Sequence, residues 1–215
     1  RGDLKKIRVV YGGFDMDRFK PTDATAQRKA WDLEPEDYAF GVVGGYSLPR
    51  GKGQPEFLRA AAKIRASRPQ ARFLVIGRGN MKDMLEQQIG GLGLTGSAWL
   101  TPYCSDMAAG MNAIDCLVLP QVGTEAIPGV VCEAHACGKP VIASNLDGIP
   151  EAFSVGGYGE LVRRGSVDEL AVAMADFCQR PGLSEPERWK LHEKVGERFS
   201  LEKAARDLSE LYAAL

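Results

Sequence analysis

The chain has 215 residues, 45% hydrophobic and 26% charged, with a formal net charge of −1. That is an ordinary globular composition, with no broad electrostatic attraction to nucleic acid or to a membrane surface. No apolar run approaches the roughly 20 residues of a membrane helix. Cys104, Cys116, Cys132, Cys137 and Cys178 show neither a paired framework nor a metal-binding spacing, so a reduced, cytoplasmic setting without a metal site is expected.

In chain order, residues 7–11 read as a strand before a Gly-Gly turn, and 22–33 as a short helix. Residues 39–44 read as a strand, followed by a Gly-rich loop over 45–54. That loop falls short of a P-loop, because Gly53 stands where Ser or Thr is required. A helix follows over 55–67, with Phe57, Leu58, Ala61, Ala62 and Ile64 on its apolar side. Strand 72–77 runs into the turn Gly77-Arg78-Gly79 and a helix over 81–90. Gly91, Gly93 and Gly96 satisfy G-x-G-x-x-G, but they leave a helix and enter the strand 97–101. A dinucleotide fingerprint needs the reverse context, so it is rejected. A helix over 105–113 leads to a strand over 114–119. Strands at 140–144 and 159–162 and helices at 167–179, 185–198 and 201–214 complete the pattern. Such alternation predicts an α/β fold, a doubly wound, Rossmann-like parallel sheet of roughly six strands.

The most informative stretch is 123–151, G-T-E-A-I-P-G-V-V-C-E-A-H-A-C-G-K-P-V-I-A-S-N-L-D-G-I-P-E. Pro128 suits the first position of a helix, while Gly138 and Pro140 suit its end. Ile127 then falls at the N-cap, a poor cap, which leaves the amides of Gly129, Val130 and Val131 without an obvious internal partner. A helix start of this kind is a ready phosphate site. Glu125 lies just before it and Glu133 about one turn inside. Carboxylates there cannot hold phosphate, but they can accept hydrogen bonds from hydroxyls. A diphosphate flanked by hydroxyl groups, as in a nucleotide sugar, fits the set.

The pair of Glu with seven residues between them, inside E-A-I-P-G-V-V-C-E-A-H-A-C-G-K-P-V-I-A-S, resembles the signature of the retaining glycosyltransferases of family four. Those enzymes have two Rossmann-like domains in the arrangement called GT-B. The resemblance covers nearly the whole chain. It implies that Glu125 meets hydroxyls of the donor sugar and Glu133 those of the ribose, and that no metal or other cofactor is needed. Lys52, before Gly53, matches the family's lysine in G-R-L-x-x-x-K-G, where Arg and Lys neutralise the diphosphate. The family's Arg has no direct match, and Arg50 is the candidate replacement. The turn at Gly77 would lie at the nucleotide cleft. The turn at Thr101 would hold the nucleobase, and Tyr103 is either a stacking partner for the base or a packing residue.

The segment V-V-Y-G-G-F-D-M-D-R-F-K-P is similar to the family's linker into its second domain, with Gly12 and Phe14 in place of the usual Asn and Val. The chain is therefore expected to be one nucleotide-sugar-binding domain over 1–215, the C-terminal half of a longer enzyme. Its linker and first strand would occupy 1–20 and its terminal helices 184–215. The expected partners are a nucleotide sugar donor and an N-terminal domain, with peripheral membrane association of the full enzyme. Asp147-Gly148-Ile149-Pro150-Glu151 resembles the family's G-G-x-x-E, with Asp147 where the first Gly is common. His135 is expected in the core or behind the site, and His192 in solvent. Helix 201–214 is expected to leave part of its apolar side exposed. A non-catalytic nucleotide-binding module is the main rival, with a dinucleotide oxidoreductase behind it.

Overall fold

The computed structural model describes residues 7–48 and 51–214. Six strands, β1 (Tyr38–Val43), β2 (Ala71–Ile76), β3 (Ala98–Leu100), β4 (Cys116–Leu119), β5 (Val141–Asn145) and β6 (Gly159–Arg163), form one sheet. All pairings are parallel, in the order β3-β2-β1-β4-β5-β6. Helix α1 (Thr25–Ala30) precedes the first strand, and the crossovers are helices α2 (Gln54–Ile64), α3 (Lys82–Gly91), α4 (Met107–Ala113), α5 (Gly129–Ala136) and α6 (Ile149–Gly156). Helices α7 (Val167–Phe177), α8 (Glu185–Phe199) and α9 (Leu201–Ala213) follow the last strand.

The strands are apolar on both faces because both faces are covered. Phe40, Val42, Phe73, Val75, Cys116, Val118 and Ile142 point to one core, with α2, α3 and α7. Their neighbours Ala39, Val43, Leu74, Ile76, Leu117, Leu119 and Val141 point to the other, with α4, α5, α6 and α8.

Local signals place several helix starts. Asp106 caps α4 by accepting from the amides of Ala108 and Ala109, which starts that helix later than the apolar pattern alone suggests. Ser184 and Glu187 form a capping box at α8. Ser200 caps α9 by accepting from the Lys203 amide. The first helix is shorter than expected, six residues, and Asp32 just beyond it takes a positive φ of 54°.

Residues 7–11 are not a strand, contrary to the sequence reading. Ile7 and Val9 are 57% and 70% exposed. The segment runs instead to the α8–α9 junction. There the Phe14 amide donates to the Phe199 carbonyl at 2.7 Å, and the Leu201 amide to the Phe14 carbonyl at 3.2 Å. The Tyr11 ring stands edge-on to Phe199 at 5.4 Å. α9 has no buried residue, and Leu208 and Tyr212 are 43% and 68% exposed, as its amphipathic pattern suggested.

Candidate functional site

The strand order reverses between β1 and β4. At such a switch point the crossovers diverge and a crevice opens beyond the carboxyl ends of the strands. The loop leaving β1 carries Lys52, and the loop leaving β4 carries Glu125. The two meet there: Lys52 Nζ donates to Glu125 Oε2. Their side chains are 27% and 15% exposed. The surrounding hollow, about 790 Å³, is lined by Gly51, Lys52, Gly53, Gln121, Thr124 and Glu125 among others.

Backbone packing fixes this meeting. Gly53 has φ 81° and precedes α2, and a Cβ on it would lie 2.1 Å from the Pro120 carbonyl oxygen. Only a residue without a side chain lets the two loops touch. The Lys52 amide donates to Oε1 of the fully buried Gln54 at 2.8 Å. The Lys52 stem lies against Gly44. On the other loop, the Glu125 amide donates to Asp147 Oδ2 at 3.2 Å, and the Glu125 carbonyl accepts from the Gly148 amide at 3.3 Å. Asp147 holds a positive φ of 46°, where its side chain can reach Glu125. A Cβ on Gly148 would lie 1.8 Å from the Ala126 oxygen. Asp147, marked in the sequence only as a departure from a glycine, is thus part of the site's frame.

The start of α5 differs by one residue from the sequence reading. Pro128 is the N-cap, with ψ 111°, and Gly129 is the first helical residue. The Pro128 carbonyl then accepts from Val131 at 3.1 Å, so the expected free amide of Val131 is already used. The amides of Gly129 and Val130 have no acceptor among the described residues, and no side chain caps them. Glu133 is half-buried, with Oε1 3.7 Å from where a Cβ on Gly129 would lie, and the Phe14 ring covers the same glycine. Burial pushes the Glu133 carboxyl above its usual range, against the pull of Arg18.

A second hollow, about 370 Å³, lies at the carboxyl ends of β1 and β2, with Gly44, Gly77, Arg78, Tyr103 and Met107 in its walls. Gly77 and Tyr103 therefore border the same hollow. Tyr103 is 70% exposed, and the Arg78 guanidinium lies 4.9 Å above its ring. Arg78 was not singled out from sequence; its signal was a cation between two glycines at a strand end. Thr101 is buried at the end of β3, its amide bonded to Val75 O at 3.0 Å. Its hydroxyl has no partner among the described residues, nor has Oε1 of the buried Gln121 beside Glu125. Arg50 lies outside the described residues. Among the described residues no group of three or more His, Cys, Asp or Glu is gathered for a metal.

The histidines divide. His135 is fully buried and donates from Nε2 to the Tyr158 carbonyl at 3.0 Å, a core role. Burial lowers its pKa to about 4. His192 is not free in solvent as expected. It is half-buried, with Nδ1 3.0 Å from the Ala136 carbonyl and its ring edge-on to Trp189. The helical pattern around it is charged, but α5 packs against that turn of α8.

A wholly parallel sheet of this order, with a charged crevice at its switch point, defines a Rossmann-like ligand-binding domain. The sequence profile described as "Glycosyl transferases group 1" matches residues 37–180. A D-inositol 3-phosphate glycosyltransferase of Mycobacterium marinum is 33% identical over 181 residues, which is 81% of this chain and 37% of the relative. That of Segniliparus rotundus is 29% identical over 222 residues, 99% of this chain and 48% of the relative. Anabaena HepE in complex with UDP superposes with a TM-score of 0.86 at 25% identity, over 100% of this chain and 59% of that one. The chain belongs to the group 1 glycosyltransferases, and its fold is the Rossmann-like one of GT-B enzymes. It spans less than half the length of these curated relatives.

Proposed function

We propose that this chain is the donor-binding half of a retaining glycosyltransferase. The whole enzyme would move a sugar from a nucleoside diphosphate sugar to an acceptor hydroxyl, in the synthesis of a cell-surface polysaccharide, lipopolysaccharide or glycolipid. The Lys52–Glu125 contact at the switch point carries the reading. It sets a cation suited to the diphosphate beside a carboxylate suited to sugar hydroxyls. HepE, a structural neighbour, was solved with UDP and with UDP-glucose, which supports a uridine diphosphate donor.

In this reading Lys52 and the free amides of Gly129 and Val130 stabilise the departing diphosphate, an electrostatic role. Glu125 orients the sugar ring and Glu133 accepts from the ribose hydroxyls. Gly77, Thr101 and Tyr103, with Arg78, border the nucleoside. The acceptor would be held by a second domain, for which the greater length of the relatives leaves room. Calorimetric titration of the chain with UDP-glucose, GDP-mannose and NAD tests the reading. Binding of a sugar conjugate is expected; binding of NAD alone would overturn it.

A further inference from the structure

We infer that the Lys52–Glu125 pair makes this site select the sugar-bearing donor over the bare nucleoside diphosphate that remains after transfer. The inference rests on the donor reading above. Lys52 is the one cation among the described residues lining the larger hollow, and it is held by Glu125. The backbones that carry the two groups are both anchored, so the groups stay within reach of one another. The Lys52 backbone is fixed by Gln54 and its stem lies on Gly44. The Glu125 backbone is fixed by Asp147 and Gly148.

A diphosphate entering the hollow competes with Glu125 for the Lys52 ammonium. If it wins, it leaves a carboxylate only 15% exposed, without its counter-ion and facing a second anion. A largely buried charge that loses its partner is strongly unfavourable. The Asp147 carboxylate already held by the Glu125 amide adds to the negative surroundings. A sugar changes the balance, because its hydroxyls donate to Glu125 in place of Lys52. The sugar conjugate therefore satisfies both groups, while the bare diphosphate satisfies one at the expense of the other. Once the sugar has moved to an acceptor, Glu125 loses those hydroxyls and draws Lys52 back. The same pair thus weakens the hold on product.

The test is calorimetry of UDP and UDP-glucose with the wild-type chain, Glu125→Gln, Lys52→Ala and the double variant, each checked by circular dichroism. Glu125→Gln keeps the shape and removes the competing charge. It should bind UDP about tenfold more tightly than wild type, the factor that ~1.4 kcal/mol represents. It should bind UDP-glucose more weakly, so that the preference reverses. In the Lys52→Ala background the same change should give no gain for UDP. UDP binding that is unchanged or weaker in Glu125→Gln, or a gain that survives without Lys52, overturns the inference while leaving the donor reading intact. A wild-type chain that binds neither ligand, and neither GDP nor GDP-mannose, removes both.

Discussion

Gly53 and Pro120 are in backbone contact across the switch point of the sheet, so close that a Cβ on Gly53 would lie 2.1 Å from the Pro120 oxygen. The loops that carry Lys52 and Glu125 meet at that contact as well as at their ion pair. Gly53→Ala would meet both the carbonyl and a φ of 81°. Left-handed backbone alone costs a residue with a Cβ roughly 1–2 kcal/mol. The variant is expected to lose at least that much stability in urea unfolding, and to bind UDP more weakly than the stability loss accounts for.

Asp147 offers a cleaner separation of stability from binding. Its φ of 46° suits glycine better than aspartate, yet its carboxylate holds the Glu125 amide. Asp147→Gly relieves the backbone and removes the acceptor. A net hydrogen bond is worth about 0.5–1.5 kcal/mol. The melting temperature should stay level or rise, while affinity for UDP-glucose falls about two- to tenfold. Asp147→Asn keeps an acceptor and should bind close to wild type. Equal binding by all three chains would show that this bond does not position Glu125.

Glu133 predicts a conflict between function and stability. Burial raises its carboxyl above the usual range in the folded chain. Below the ordinary carboxyl pKa both folded and unfolded states are protonated, and the folded state suffers no penalty. As pH rises through the folded value, the buried group ionises and that advantage is lost. Glu133→Gln should therefore match wild type near about pH 3 and be more stable at neutral pH. The same variant should bind UDP more weakly. A neutral-pH melting temperature below that of wild type would contradict the burial argument.

His135 gives the opposite slope. Burial depresses its pKa from 6.5 to about 4, and Nδ1 has no partner among the described residues. The unfolded chain takes up a proton near pH 6.5 that the folded chain refuses until about pH 4. Stability should fall as pH drops through that window, by on the order of 3 kcal/mol at full effect. His135→Met should flatten this dependence in chemical unfolding series, with nucleotide binding unaffected.

How much of this was legible depends on which physics sets each feature. The six strands could be read because β1, β2, β4 and β5 are buried on both faces, so their apolar runs have no other use. The run at 7–11 has the same composition but ends on the surface, since hydrophobicity cannot say that the sheet is already complete. Lys52 and Glu125 could be named but not their contact, which depends on the strand order. Val131 was misjudged because its amide, the third of the helix, is satisfied by a tight three-residue turn onto the Pro128 carbonyl rather than by a regular helical bond. Arg78 and the frame role of Asp147 were missed because each depends on a partner distant in sequence, Tyr103 and Glu125.

The 215-residue chain is expected to fold alone and to transfer no sugar. Two apolar clusters cover both faces of the sheet, so the domain has its own core. Catalysis needs more. Lys52, Glu125, Glu133 and the amides of Gly129 and Val130 are all on the donor side in the proposed reading. Holding an acceptor against a donor can account for ~7–11 kcal/mol of a barrier. The chain spans 37% and 48% of two glycosyltransferase relatives, and acceptor positioning is proposed to lie in the remainder. The expected outcome is a cooperative thermal transition and measurable UDP binding. UDP-glucose mixed with simple sugar acceptors should at most be hydrolysed slowly, as followed by UDP release and by mass spectrometry of the acceptor. Glycosylated acceptor formed at an ordinary enzyme rate, at or above about 1 per second, would show that acceptor positioning is contained in these residues.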